Sequence, residues 1–227
     1  MGGNNQVIGR ITATTQWFLA FAVVGLTLLV SARPTVPAEA PAGAVKADMG
    51  FPPVGTKWVS RTVEEPGETK TQVFTVMQEG TYKDKQVFQM SDGVETIVLD
   101  RATRNWIATL RDGKVDRSAS PHNGELSFPI WVGKSWVARY RFYDSKTAGP
   151  SHYDVTYSWK VTAYEDVIVP AGTFKAFRLE GSNPFATTKI WYSPELHLVV
   201  KRIWERETFH YRGPGKSTTE VVEYPAK

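Results

Sequence analysis

The sequence has no cysteine in its 227 residues. That excludes disulfides, thiolate metal sites, a thiol nucleophile and a lipid-modified cysteine anchor, so stability must come from the core. Histidine is scarce: the four, His122, His152, His197 and His210, are too scattered to define a metal site by spacing. His152 and Asp154 alone share a strand face. Two ligands do not hold a metal, and a solvated strand face explains the pair. No Gly-x-Ser-x-Gly elbow of a serine hydrolase is present. Gly133-Lys134-Ser135 and Gly215-Lys216-Ser217 lack the glycine that a phosphate loop needs five positions earlier, where Phe128 and His210 stand. No internal repeat and no long amphipathic helix is found. The expectation is therefore no catalytic residue, no metal and no cofactor.

Charge is also scarce where it would matter. Residues 11–32 carry none, with Arg10 and the amino terminus on their N-terminal side. This is the profile of a signal peptide, and Val30-Ser31-Ala32 places small residues where a signal peptidase reads them. Ala38-Glu39-Ala40 does so too, but Pro41 is a poor residue after the cut, so cleavage after Ala32 is expected. The competing reading is an uncleaved anchor. An apolar helix of this length at about 1.5 Å per residue would just cross a roughly 30 Å hydrocarbon core. Both readings place the rest of the chain outside the cytoplasm, periplasmic or otherwise extracytoplasmic, with membrane contact only if the segment is retained. Removing residues 1–32 lowers the formal charge from +4 by one, because Arg10 is the only charged residue lost. So mild a charge implies no polyanion, and no nucleic acid partner is expected. Aromatics interleaved with arginine from Trp131 to Tyr143 would suit a stacking platform for single strands, but they equally make a β core with a basic outer face.

What is present points to strands. Eight Trp, nine Tyr and eleven Phe sit in a chain that is 41% hydrophobic and 22% charged, and aromatic and β-branched residues favour pleated surfaces. Residues 33–50, rich in Pro and Ala, read as a semi-extended linker, and 51–227 as one β-rich domain. Strands are predicted over 57–63, 70–78, 85–91, 94–99, 105–111, 114–118, 135–143, 152–164, 174–180, 186–192, 197–205, 207–212 and 217–223. Asp92-Gly93 and Asp112-Gly113 are hairpin turns by their chemistry. Pro170-Ala171-Gly172 suits a three-residue hairpin, and Gly133 ends a loop.

From His152 to Val161, Tyr153, Val155, Tyr157, Trp159 and Val161 fall on one face and polar residues on the other, so one face is buried. Trp136, Ala138, Tyr140 and Phe142 repeat the pattern. Leu196 to Trp204 is apolar at both parities in its first half, which predicts cover on both sides or a cavity. The fold expected is an all-β, strongly curved antiparallel meander, a half-barrel or open barrel, preceded by one N-terminal apolar helix.

Three segments carry a resemblance. They are Ser127-Phe128-Pro129-Ile130-Trp131-Val132-Gly133-Lys134-Ser135-Trp136, then residues 164–177 around Val169-Pro170-Ala171-Gly172-Thr173-Phe174, then Ile190-Trp191-Tyr192-Ser193-Pro194-Glu195-Leu196 leading to Val200-Lys201-Arg202. In order and spacing they resemble a group of uncharacterised exported bacterial proteins, the domain-of-unknown-function 3108-like proteins. The resemblance covers roughly half of the mature domain. It implies a curved antiparallel sheet like the half-barrels of periplasmic lipoprotein carriers, with no catalytic residues to carry over. The Arg-rich stretch 201–212 is more charged than a plain lipid carrier needs.

Three functions follow. The first is a non-enzymatic envelope module that binds or scaffolds another envelope component through its sheet face or edges. The second is a carrier of a lipid or other apolar ligand in a concave face lined by Tyr157, Trp159 and Trp204. The third is an envelope-polymer hydrolase with carboxylates such as Glu205 and Glu207, or Glu220 and Glu223, although exposed cross-strand ion pairs explain the same residues.

Overall fold

The computed structural model describes residues 39–146 and 152–225, and these contain no helix. The predicted N-terminal apolar helix and the expected cleavage point after Ala32 lie outside the described residues. Fourteen strands follow one another: β1 (Lys46–Ala47), β2 (Lys57–Glu65), β3 (Thr69–Tyr82), β4 (Lys85–Ser91), β5 (Glu95–Asp100), β6 (Trp106–Arg111), β7 (Lys114–Ser120), β8 (Ile130–Trp131), β9 (Ser135–Asp144), β10 (His152–Val169), β11 (Gly172–Asn183), β12 (Ala186–Ser193), β13 (Leu198–Arg206) and β14 (Gly215–Glu223).

Twelve of them form one closed antiparallel barrel, and β1 pairs with β8 in a separate two-stranded sheet. The meander is as expected, since each strand pairs with its neighbours in sequence except where β7 meets β9 and where β14 meets β2. The half-open shape is not. β14 pairs with β2 from Lys216 opposite Glu65 to Glu223 opposite Val59, and this removes the two free edges that an open sheet would present.

Turn chemistry sets the short connections. Asp112 and Gly113 both take positive φ between Arg111 and its partner Lys114, as a two-residue hairpin requires. At the tip of the long β10–β11 hairpin, Val169 pairs with Gly172, so the loop is Pro170-Ala171 alone and Gly172, at φ 137°, already belongs to the ladder. Gly133, at φ 98°, donates its N–H to the Val161 carbonyl at 2.9 Å.

Two expectations change. Residues 207–212 are not a strand but part of the β13–β14 loop, in which the His210 N–H bonds Glu207 O and the Gly213 N–H bonds His210 O. The alternating Phe209 and Tyr211 mimic a strand, but both are exposed. Lys46 and Ala47, read as linker, form β1, and Ala47 packs in the core beside Ile130.

A barrel of about eight strands is filled by its own side chains, whereas one of sixteen or more leaves a channel. Twelve strands lie between, and here the lumen is completed by chain. Residues 122–131 run inward and place Leu126 and Ile130 against Ala138, Tyr157, Trp159, Val161, Leu179 and Ile190 on the walls. A second cluster unites Trp58, Val76, Phe88 and Leu99 with Val167, Trp191, Leu198 and Val200.

Candidate functional site

The inward segment begins where β7 leaves β9. Their pairing stops at Ser120 opposite Arg141, and Pro121 has no N–H with which to continue it. β9 runs on to Ser135 paired with β10 and, among the described residues, with no strand on that side. Four contacts hold the segment inside. Asn105 presents its amide to the Leu126 backbone as a strand would, receiving the N–H at 2.8 Å and donating to the carbonyl at 2.9 Å. The Trp136 indole N–H donates to Gly124 O at 2.9 Å. Gly124 lies so close to β9 that a Cβ there would sit 2.6 Å from the Ala138 Cβ, and its φ is positive. Across the lumen, the Arg202 guanidinium on β13 is paired with the Glu125 carboxylate.

Two cavities flank this segment. The larger, of about 480 Å³, opens in the wall between the ends of β6 and β7 and the unpaired side of β9; its lining includes Asn105, His122, Phe128, Trp136, Val137 and Arg139. It falls within the roughly 300–1,000 Å³ of ordinary ligand sites. Burial holds the His122 imidazole below its ordinary pKa, with the neighbouring Lys85 acting in the same direction and Asp100 opposing. The smaller, of about 210 Å³, is lined by Trp58, Ser60, Phe74, Met90, Ile97, Val199, Val200, Arg202, Thr219 and Val221. Only the concave side of a barrel can bring six consecutive strands, β13-β14-β2-β3-β4-β5, to one cavity, so this one lies in the lumen.

The three residues expected to line a pocket are brought together, but as packing. Trp159, Gly181, Thr188, Trp204 and Ser217 form one transverse row across β10 to β14. Tyr157 and Trp159 are buried with their rings stacked at 5.3 Å, and the Tyr157 hydroxyl lies 3.1 Å from Thr188 Oγ1. Trp204 stacks under Arg206, whose guanidinium carbon is 4.9 Å from the ring centroid, and meets the His210 ring edge-on. None of the three lines either cavity. The apolar both-parity stretch does face a cavity: Val199 and Val200 together wall the lumenal one, where the register shifts beside Trp191 and Tyr192.

Most of the other candidates make contacts within the protein. Asp154 is exposed and paired with Arg141 at 3.2 Å, and the His152 ring lies against Tyr143. Glu205 pairs with Lys216 at 3.8 Å, while Glu220 pairs with Lys201 at 2.7 Å and with Arg61 at 3.9 Å. Lys134 of the first Gly-Lys-Ser triplet donates to the carbonyls of Ser127 and Pro129 at 2.6 and 2.8 Å, which pins the base of the inward segment. Among the described residues no three His, Asp or Glu converge as a metal site would need. Sequence reasoning missed Glu125, Arg104 and Asn105. Nothing periodic marks them, because each acts from a loop on partners far along the chain.

The chain is similar, at low identity and with TM-scores below 0.5, to several solved structures. A crystal structure of a candidate exported protein with a YmcC-like fold from Bacteroides fragilis is 12% identical, with TM-score 0.41, and covers 78% of this chain and 98% of its own. The hypothetical lipoprotein YmcC of Escherichia coli is 10% identical, with TM-score 0.41, over 77% and 86%. A candidate lipoprotein from Parabacteroides distasonis is 15% identical, with TM-score 0.35, over 78% and 98%. None of these names states a ligand, substrate or partner. No family model and no curated protein matches the chain, so the likeness to the 3108-like group rests on the three quoted segments alone.

Proposed function

We propose that the domain is a non-enzymatic binding module of the cell envelope, exposed outside the cytoplasm, that takes an extended segment of a partner protein at the open side of β9. The observation that carries this reading is the interrupted ladder: from Ser135 to Tyr140 the strand has a partner on the β10 side and, among the described residues, no strand on the other, beside the 480 Å³ cleft. An extended peptide gains affinity there from main-chain hydrogen bonds and specificity from a side chain seated in the cleft. Phe128 and Trp136 give that cleft an apolar wall, and Arg139 on its rim is exposed and has no carboxylate within ion-pair distance among the described residues. An acidic residue in the segment fits it. The apolar residues 11–32 account for delivery across a membrane.

Site-specific photo-crosslinking in intact cells tests this. A photoreactive side chain at Val137 should give a discrete adduct that disappears on adding Arg139→Glu, while the same probe at exposed Thr173 on β11 gives none. Absence of an adduct at Val137, or equal adducts at both positions, would refute the reading.

A further inference from the structure

We infer that the lumenal cavity is a second binding site, for a single-chain amphiphile with an anionic head, and that Arg202 is its head-group residue. The site shares no lining residue with the cleft at β9, so it stands or falls separately.

Seven of its ten lining residues, Trp58, Phe74, Met90, Ile97, Val199, Val200 and Val221, are apolar. The Trp58 and Phe74 rings stack at 5.6 Å on adjacent strands and make one broad wall. The three polar residues are clustered instead of spread. Arg202 pairs with Thr219 across β13 and β14, and Val221, two residues on, pairs with Ser60. A chain lying among the apolar residues would therefore have one polar end, at Arg202.

That end is cationic and underused. A guanidinium has five N–H donors in a fixed fork that matches a carboxylate or phosphate with two parallel bonds. Among the described residues Arg202 makes one side-chain hydrogen bond, to Glu125, and it keeps 37% of its side chain accessible within a lumen-facing row. Glu125 is nearly buried, with 12% side-chain exposure, and is also held by the Asn123 amide at 3.0 Å. The remaining donors of Arg202 suit an incoming anion, with the hydroxyls of Ser60 and Thr219 beside it. Glu125 is then a competitor for the same cation. Its pairing holds the inward segment shut against β13, and a bound anion shares or replaces it.

The test is calorimetric titration of the purified domain with a series of straight-chain fatty acids from hexanoate to palmitate and the matched alcohols. Saturable binding of one or more acids is expected, at least tenfold tighter than the alcohol of equal length. Arg202→Gln should remove that preference. Val221→Trp, which fills the apolar part, should remove binding of acid and alcohol alike. Glu125→Gln should tighten acids several-fold. Should Arg202→Gln not fold, as judged by near-ultraviolet dichroism, the acid-to-alcohol ratio of the native protein and Val221→Trp still decide. No saturable binding, equal affinity for acids and alcohols, or binding undiminished by Val221→Trp overturns the inference. Photo-crosslinking at Val137 is unaffected by any of these results.

Discussion

The indole of Trp159 occupies the place that a side chain at Gly181 would fill: a Cβ there would lie 2.6 Å from two of its ring carbons. The two residues are cross-strand partners on β10 and β11, so the absence of one side chain is what lets the other lie flat, stacked on both Trp136 and Tyr157. Gly181→Ala should therefore destabilise the barrel by about 1–3 kcal/mol through overpacking. Gly80, also in a strand, has nothing within 4 Å of an added Cβ. Gly80→Ala should be neutral or stabilise by up to about 1 kcal/mol by narrowing the unfolded ensemble. Urea denaturation of the two variants beside the parent gives the comparison.

Arg104 is 6% exposed, and its guanidinium donates to the carbonyls of Gly50 and His197 while lying 5.1 Å from the Phe51 ring and 5.5 Å from Tyr192. Burial draws its pKa down to about 10, yet the group stays cationic at neutral pH. Arg104→Met leaves two carbonyls unpaired where the N-terminal segment meets the β12–β13 loop, and should cost about 2–4 kcal/mol. Arg104→Lys cannot reach both and should recover only part of the loss. Thermal melts of the three proteins would show that order, and a fully stable Arg104→Lys would contradict it.

Three histidines predict how stability changes in mild acid. Burial lowers the pKa of His122, His197 and His210, helped by Arg104 at His197 and by Arg206 and Arg212 at His210. The folded state then binds fewer protons than the unfolded one between the lowered values and the ordinary 6.5. Stability is full above 6.5, falls as pH drops through that window, and levels off below it. Denaturation midpoints measured from pH 7.5 to 5 should decline, and a protein carrying His122→Gln, His197→Gln and His210→Gln should show a flatter curve.

Asp100 acts in a lower window and in the same direction, but there it is the charged form that the folded state favours. Burial works against its charged form, but the Lys85 ammonium at 3.0 Å and the amides of Ala102 and Thr103 outweigh it and hold the carboxyl below the ordinary 3.8. Its contribution is complete above 3.8 and is lost as pH falls through the folded value. Asp100→Asn should lower stability at pH 7 and weaken the acid loss below about pH 4, which equilibrium denaturation across that range would reveal.

Much of the barrel was legible in residue order. The alternation from His152 to Val161 predicted a buried face, and all five of its apolar residues face the side on which Trp159 and Val161 are buried. Asp112-Gly113 predicted a two-residue hairpin, because both positive φ values are written in the residue types. The failures have physical causes as well. β1 and β8 are two residues each, too short to show any period. Phe209 and Tyr211 alternate like a strand, but they sit in a loop closed by Gly213 and Pro214, where Tyr211 reaches across to hydrogen-bond Asp144 on β9 at 3.1 Å.

Most strand positions, the Asp112-Gly113 turn and the absence of thiol chemistry were thus decided by the sequence alone, since each depends on residue types or on residues within a few positions of one another. Closure was decided only by the tertiary structure. The hydroxyls of Thr62 and Thr219 meet at 2.9 Å across 157 positions of chain, a pairing that no local pattern encodes. The same holds for the inward turn after Pro121 and for Glu125 meeting Arg202, 77 positions apart. Both cavities depend on such contacts, because a lumen exists only once the first and last strands have paired around the segment that partly fills it.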